Sequence, residues 1–221
     1  LVSDEIICAF ISTPINSHLK YAKICLKKNI PFLIEKPLSK EKKGWEVILK
    51  GLKKKNLPFS VGFPRRHSIA INKMKQMIEQ GKIGKLMLIK SSFSQDFRKY
   101  RPDYYRTYYA KRASGGGIIR DALSHHIDLM IYFAGKVRAV SAFYDKMVFN
   151  NVNVEDTALV HLKFQNGILA SIVGNQWQKP NEDFIELIGT DGNLKYERNS
   201  NEIYYNISDN KNWKKIVVKD T

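Results

Sequence analysis

The sequence has few cysteines and no long apolar run. Cys8 lies in a predicted strand and Cys25 in a predicted helix, so both resemble small core residues rather than a disulfide framework or a metal-ligand set. No apolar run approaches the ~20 residues that cross a bilayer, and the first residues lack the order of a signal peptide. We therefore expect a soluble, globular protein of the reducing cytoplasm, with no membrane partner and no bound metal.

The chain also lacks the signatures of nucleic-acid binding, although it is strongly basic. Lysine and arginine total 37 against 21 aspartate and glutamate residues, which gives a formal charge of +16. The basic side chains are scattered over predicted helix surfaces, and no helix-turn-helix, zinc-finger or aromatic RNA-binding pattern accompanies them. We expect no nucleic-acid partner, and we interpret the charge as solvated surface with some attraction for anionic cofactors or substrates.

Strands and helices alternate in the first part of the chain. The unbroken apolar run of residues 5–12 is typical of a strand buried on both faces. A helix should begin near Ser17, and Ser39 should cap a second, amphipathic helix. With further strands over residues 31–34 and 59–63, this order predicts a parallel sheet with right-handed crossovers.

From residue 64 onward the pattern changes to one that favours an α+β domain. An amphipathic helix over residues 68–80 precedes an alternating strand over residues 86–94. Turn signals at 165–167 and 190–193 predict two β-hairpins. We therefore expect a mainly antiparallel sheet with helices on one face.

A long polar and aromatic loop over residues 96–114 interrupts this domain. Loops of this length are often lids or binding segments. It carries several tyrosines: Tyr100, Tyr104, Tyr105, Tyr108 and Tyr109. These side chains either line a sugar-like ligand or anchor the loop on the domain surface.

The stretch after this loop is the one most suggestive of chemistry. Three glycines, which allow a close backbone approach, precede a predicted helix over residues 118–134. Asp121 and His125 are four residues apart and share one helix face, which Asp128 and Tyr132 extend. His125 could act as a general base beside a carboxylate. Alternatively, this polar face simply meets water.

Lys36 is the second residue of interest. It follows a predicted strand within Glu35-Lys36-Pro37, and ligands of parallel α/β sheets bind beyond the carboxyl ends of the strands. The Glu-Lys-Pro turn would place the lysine at that ligand edge. The alternative is a turn lysine that points into solvent.

Several short motifs together resemble one family. They are Ile11-Ser12-Thr13-Pro14 with His18, Glu35-Lys36-Pro37, Val61-Gly62-Phe63 with Arg65-Arg66, and the glycine triplet with Asp121, His125 and Asp128. In this order and spacing they resemble the glucose-fructose oxidoreductase, inositol dehydrogenase and MocA family (Gfo/Idh/MocA). The resemblance covers nearly the whole chain.

The resemblance implies a two-domain, NAD(P)-dependent oxidoreductase acting on sugars, polyols or related hydroxy compounds. Residues 1–63 would form the C-terminal part of a Rossmann-type dinucleotide-binding domain, and residues 64–221 an α+β substrate-binding and catalytic domain. The implied catalytic residues are Lys36, Asp121 and His125. The implied contacts to NAD or NADP are Thr13, Pro14, His18, Glu35, Lys36 and Pro37. The implied substrate contacts are Arg65, Tyr108, Asp121 and His125.

The chain departs from the family pattern in three places. The glycine-rich strand-turn-helix that holds a pyrophosphate is absent, so we expect about half of a nucleotide-binding domain and an incomplete C-terminal domain. Leu123 stands where many members carry glycine, and Pro64 where asparagine is frequent; both bear on the substrate rather than on the class.

Two other functions compete with the dehydrogenase. Some relatives resemble NAD-dependent glycosidases that oxidise a sugar transiently, and a non-catalytic sugar or cofactor sensor could use the same fold. We also expect a homo-oligomer formed through the antiparallel sheet.

Overall fold

The computed structural model describes residues 6–207 and 212–218. The chain divides into two compact units. The first comprises Leu1–Phe63 with Ala113–Gly115, and the second Pro64–Arg112 with Gly116–Thr221. No helix within the described ranges is long and apolar enough to cross a membrane.

The first unit is built on a three-stranded parallel sheet. Its strands, in the order β1-β2-β3, are β1 Ala9–Ile11, β2 Phe32–Ile34 and β3 Phe59–Val61. Helices α1 (His18–Lys28) and α2 (Trp45–Lys54) connect the strands and contact each other, so both cover the same face. Apolar side chains from these five elements fill the core between sheet and helices. The expected parallel sheet is therefore confirmed.

Two details of the first unit differ from expectation. The predicted strand over 5–12 was wrong in extent and burial, because only β1 is strand and Phe10 is 75% exposed. Within the described residues, β1 is an edge strand and helices cover one face of its sheet, so its alternate side chains meet solvent. Residue 5 of the predicted strand lies outside the described residues. Ser39 does not cap α2, which begins after Gly44, because its hydroxyl group is bonded locally to the backbone of Glu41.

The second unit contains an eight-stranded sheet in the order β11-β10-β9-β8-β4-β7-β6-β5. The strands are β4 Leu86–Ser94, β5 Val137–Asp145, β6 Thr157–Phe164, β7 Leu169–Asn175, β8 Asp183–Gly189, β9 Asn193–Glu197, β10 Glu202–Asn206 and β11 Lys214–Val217. Both predicted hairpins are present as β6-β7 and β8-β9. All pairings are antiparallel except β4 with β7, which is parallel.

Helices cover one face of this sheet. They are α3 (Ile69–Glu79) and α5 (Ser124–Ala134), while α4 (Phe97–Tyr100) lies in the long loop. Apolar side chains of α3 and α5 pack with inward-facing side chains of the strands in one large core. Short 3-10 turns occur at Ile15–Ser17, Pro64–His67, Tyr104–Arg106, Tyr108–Ala110 and Arg112–Ser114. The expected combination of α/β and α+β architecture is therefore confirmed.

The glycine triplet permits a close backbone approach before α5. A Cβ atom on Gly116 would lie 2.0 Å from the carbonyl oxygen of Tyr109, so only glycine fits there. The predicted helix then begins with a π-helical turn at Ile119–Leu123 and continues as α5. The carboxylate of Glu155 accepts a hydrogen bond of 3.3 Å from the backbone amide of Ile119. The carbonyl oxygen of Glu155 accepts one of 3.1 Å from the backbone amide of Ile118. The glycines and Glu155 together fix where this helix starts.

Candidate active site

The carboxyl ends of β1 and β2 form one edge of the first unit. Because the strands are parallel and paired from Ala9 with Phe32 onward, Thr13-Pro14 and Glu35-Lys36-Pro37 leave the sheet at the same edge. The amide of Glu35 donates to the carbonyl oxygen of Ile11 at 2.9 Å. The edge thus presents the predicted cofactor residues together, with Lys36 partly exposed among them.

His18 joins the two chain segments at this edge. Its side chain is buried, and its ring nitrogens lie 2.8 Å from the carbonyl oxygen of Thr13 and 3.2 Å from that of Leu38. Ser17 reinforces the first segment by donating to Thr13 or to Pro14. His18 therefore connects the segment that follows β1 with the segment that follows β2.

In the second unit, Asp121 is the centre of a polar cluster. Its carboxylate is about 10% exposed and accepts a hydrogen bond of 2.8 Å from the hydroxyl group of Tyr108. Nη1 of Arg101 lies 3.7 Å from the other carboxylate oxygen. The long loop thus folds back so that two of its side chains lie beside the π-helical turn.

The contact with Asp121 affects the pKa of the Tyr108 hydroxyl group. Partial burial and the neighbouring negative charge of Asp121 raise the pKa of Tyr108 above its ordinary value. Tyr108 is therefore a hydrogen-bond donor at neutral pH and positions the carboxylate. His125 follows four residues after Asp121, at the start of α5.

Some tyrosines of the loop anchor it on the domain, and one points to the candidate site. Tyr109 is fully buried against Phe97, with ring centroids 4.7 Å apart, and Tyr104 stacks on Phe149 at 4.4 Å. These rings anchor the loop in a small core of their own. Tyr108, about half exposed, instead reaches the candidate site.

The polar face predicted for the helix over 118–134 splits into two sets of contacts. Asp128 binds the guanidinium group of Arg66 at 2.5 and 2.6 Å, and Tyr132 lies 5.4 Å from the same guanidinium group. Asp121 instead contacts the long loop. The π-helical turn shifts Asp121 around the helix axis relative to Asp128 and Tyr132. A uniform period of 3.6 residues therefore wrongly placed all three side chains on one face.

Arg65 lies in a buried network rather than beside Asp121. It donates twice to Asp183, at 3.0 and 3.1 Å, and once to Nε2 of His126 at 2.8 Å. Nδ1 of His126 lies 2.7 Å from the hydroxyl oxygen of Ser91, which donates to the carbonyl oxygen of Phe184 at 2.6 Å. These contacts give Arg65 a scaffolding role, and its binding of substrate stays a prediction.

Charges in this network are set by burial and pairing. Burial lowers the pKa of His126, so its imidazole stays neutral. Burial alone would raise the pKa of Asp183, but the Arg65 guanidinium group, which donates two hydrogen bonds to this carboxylate, outweighs burial and lowers that pKa to about 2. The network therefore holds an ionised carboxylate beside a guanidinium group.

Some of these residues were missed from the sequence. His126 shares the apolar helix face with Leu129, Met130 and Phe133, and that spacing could have marked it as buried. Arg101 and Asp183 carry no local signal, because their partners lie far away in sequence.

The sequence of this chain matches the model of a known protein family. Residues 71–195 match the sequence model of the GFO/IDH/MocA C-terminal domain. This match spans more than half of the chain. The chain therefore belongs to the GFO/IDH/MocA family.

Named relatives include two dehydrogenases. Levoglucosan dehydrogenase of Pseudarthrobacter phenanthrenivorans is 24% identical over 214 residues, covering 85% of this chain and 55% of that protein. Myo-inositol 2-dehydrogenase of Thermotoga maritima is 29% identical over 184 residues, covering 81% of this chain and 53% of that protein. The chain thus spans about half the length of the curated relatives it matches.

Solved structures show the same fold. A levoglucosan dehydrogenase in complex with NADH and levoglucosan superposes with a TM-score of 0.87 at 22% identity, covering 98% of this chain and 62% of that one. An inositol dehydrogenase homolog from Azotobacter vinelandii, complexed with NADH and myo-inositol, gives a TM-score of 0.79 at 15% identity, covering 96% and 56%.

Proposed function

We propose that the protein carrying this chain is an NAD(P)-dependent oxidoreductase that transfers a hydride between a CH-OH group of a sugar or polyol and the nicotinamide. Family membership supports this proposal, as do relatives named as levoglucosan and inositol dehydrogenases. The observation that carries it is the shielded Asp121 carboxylate, held by Tyr108 and followed four residues later by His125.

The two parts of the chain take different roles in this proposal. Residues 1–63 contribute the C-terminal part of a Rossmann-type domain, and residues 64–221 contribute the substrate-binding and catalytic domain. The strand-end edge of the first unit suits a cofactor, because it gathers polar backbone and side chains beyond two parallel strands. The residues proposed to contact NAD or NADP are Thr13, Pro14, His18, Glu35, Lys36 and Pro37.

The chemistry of the side chains suggests a separate role for each of the three proposed catalytic residues. When bound, NAD(P) supplies the hydride acceptor or donor. An imidazole nitrogen of His125 takes the hydroxyl proton as the C-H bond breaks, and the ammonium group of Lys36 stabilises the developing alkoxide. Asp121 accepts a hydrogen bond from a substrate hydroxyl group and so orients the reacting carbon.

Replacing the proposed base and cation tests this mechanism. Lys36→Ala and His125→Ala should each lower turnover at least ~100-fold, the contribution of a positioned acid-base group. For His125→Ala, affinity for NADH, measured by quenching of tryptophan fluorescence, should change little. Lys42→Ala and His67→Ala, at exposed positions of the same two units, serve as matched controls. Near wild-type turnover in both test variants would refute the assigned roles.

The sheet face opposite the helices favours self-association. Phe143 pairs with Leu159 and Leu159 with Val173, and their exposed fractions are 73%, 41% and 42%. This apolar row crosses three strands, which is unusual for a surface that only meets water. We infer that a second copy of the chain covers it.

The cysteines favour a reducing compartment. Cys8 is exposed and Cys25 is buried, and neither forms a disulfide. Burial raises the pKa of Cys25, which keeps its thiol protonated. We therefore place the protein in the cytoplasm.

A further inference from the structure

The loop that contacts Asp121 is strongly basic. Residues 96–112 contain six lysine or arginine side chains and two aspartates, a net charge of +4 over this segment. Such a local excess raises the concentration of anions near a site. Its effect on a substrate depends on which of these cations are already neutralised.

The basic side chains of the loop are not equivalent. Arg98 is paired with Asp96, with Nε 2.9 Å from Oδ1, and it also donates to the carbonyl oxygen of Trp177. The guanidinium group of Arg106 lies 5.4 Å from the ring centroid of Tyr105 on the exposed surface. Arg101 alone in this loop lies within ion-pair distance of the Asp121 carboxylate, among the described residues.

Arg101 lies near Phe97, Asp121 and the hydroxyl group of Tyr108, and part of its hydrogen-bonding capacity remains available. Its guanidinium group lies 5.0 Å from the ring centroid of Phe97, which orients the planar group. Its Nη1 atom is 3.7 Å from Asp121, beyond the 2.7–2.9 Å typical of a charge-assisted hydrogen bond. The side chain is 48% exposed, and within the described ranges no other carboxylate lies at ion-pair distance from it.

We propose that Arg101 binds an anionic group of the substrate, a carboxylate or a phosphate, while Asp121 binds one of its hydroxyl groups. This inference rests on the proposed function and narrows its substrates to acidic sugars or sugar phosphates. The planar guanidinium fork matches two oxygen atoms of either group. Because the guanidinium group lies beside Asp121, it also offsets the repulsion between that carboxylate and the substrate anion.

Matched sugars test the proposal directly. D-glucose is compared with D-glucuronate and with D-glucose 6-phosphate, and D-galactose with D-galacturonate. Binding is measured by calorimetry with NADH present, and turnover by reduction of NAD or NADP. Wild-type protein should prefer at least one anionic sugar over its neutral partner by at least about tenfold, the effect of one charge-assisted hydrogen bond.

Variants assign the preference to one side chain. Arg101→Gln should bring the ratio of affinities for the anionic and the neutral sugar to about one. Arg106→Gln, a matched change in the same loop, should keep it. Preference for the uronates would indicate a carboxylate substrate, and preference for glucose 6-phosphate a phosphate substrate.

Two results would overturn the proposal. One is equal binding of neutral and anionic sugars by the wild type. The other is an anion preference that survives in Arg101→Gln. Because binding is measured separately from turnover, these outcomes are distinct from failure of the dehydrogenase proposal, which would appear as no nicotinamide reduction by any sugar.

Discussion

The hydrogen bond from Tyr108 to Asp121 is the contact that most directly shapes the candidate site. It joins residues 13 positions apart, at a distance of 2.8 Å. A carboxylate that accepts such a bond is held in one orientation. Tyr108 therefore acts through Asp121, as a positioning residue, in addition to any contact with substrate.

Removal of the Tyr108 hydroxyl group gives a residue-level prediction. Tyr108→Phe should lower kcat/KM by about 10- to 100-fold, because a hydrogen bond to a charged group contributes about 1.5–3 kcal/mol. Its thermal stability should change little, since the ring is half exposed. Steady-state kinetics on Tyr108→Phe and on Tyr105→Phe, another exposed loop tyrosine, provide the check. Unchanged kcat/KM in Tyr108→Phe would contradict the positioning role.

At this scale the sequence shows the spacing of candidate residues but not their bonding partners. The four-residue spacing of Asp121 and His125 was visible along a helical pattern. Arg101 as a neighbour of Asp121 was not, because an irregular loop without periodicity separates them. The bonds of Arg65 to Asp183 and His126 were not visible either, and its contact with substrate stays a prediction.

At the scale of elements, the buried polar network connects four segments of the second unit. It includes Arg65 in a 3-10 turn, Ser91 in β4, His126 in α5 and Asp183 in β8. Removal of one member would leave a buried polar group without its partner, which costs more than the bond itself contributes. The network therefore fixes α5, and with it His125, against the sheet.

This network predicts a specific loss of stability in acid. The pKa of His126 is lowered in the folded state, so below about pH 6.5, where a free histidine titrates, the unfolded chain takes up a proton that the native state does not. Stability should thus fall as pH decreases from about 6.5. Asp183, with a folded pKa of about 2, adds a further loss below about pH 4.

Urea unfolding between pH 8 and pH 3 measures this dependence. His126→Asn should reduce the slope of the unfolding free energy against pH between about 6.5 and 5, where an unperturbed histidine titrates. Its overall stability should also be lower, because Arg65 and Ser91 lose a partner. An unchanged slope in the variant would show that His126 is not the group responsible.

Element types were largely predictable, and their ends were less so. Period-two alternation identified β4, and turn residues identified both hairpins. The start of α2 was missed because Ser39 bonds to the nearby backbone of Glu41 instead of capping the helix. The parallel pairing of β4 with β7 was also not predicted, since it depends on the topology of the whole sheet.

At the scale of the whole molecule, the open sheet face of the second unit supports the proposed self-association. Phe143→Asp would place a charge at the β5 end of the apolar row, on its most exposed side chain, and should convert a dimer or larger oligomer into monomer. Sedimentation velocity measures the change. Val47→Asp, a similar change at an exposed position of α2, should leave the oligomer intact. A wild-type protein that is already monomeric, or an unaffected Phe143→Asp variant, would contradict the proposal.

The sequence suggested an antiparallel sheet that could self-associate, but not that apolar side chains form a continuous row on its open face. That arrangement depends on the register of three strands, which is set by tertiary pairing. The first unit shows a similar limit, since Phe10 is exposed because, within the described residues, helices cover only one face of its sheet.

Transfer of deuterium from substrate to cofactor tests the proposed function most directly. The protein carrying this chain is incubated with NAD or NADP and with sugars and polyols deuterated at their CH-OH carbons, anionic sugars included. The reduced cofactor is then analysed by mass spectrometry. Hydride transfer predicts net formation of NADH or NADPH that carries deuterium at the nicotinamide ring. Absence of labelled reduced cofactor with every substrate class would contradict the dehydrogenase assignment.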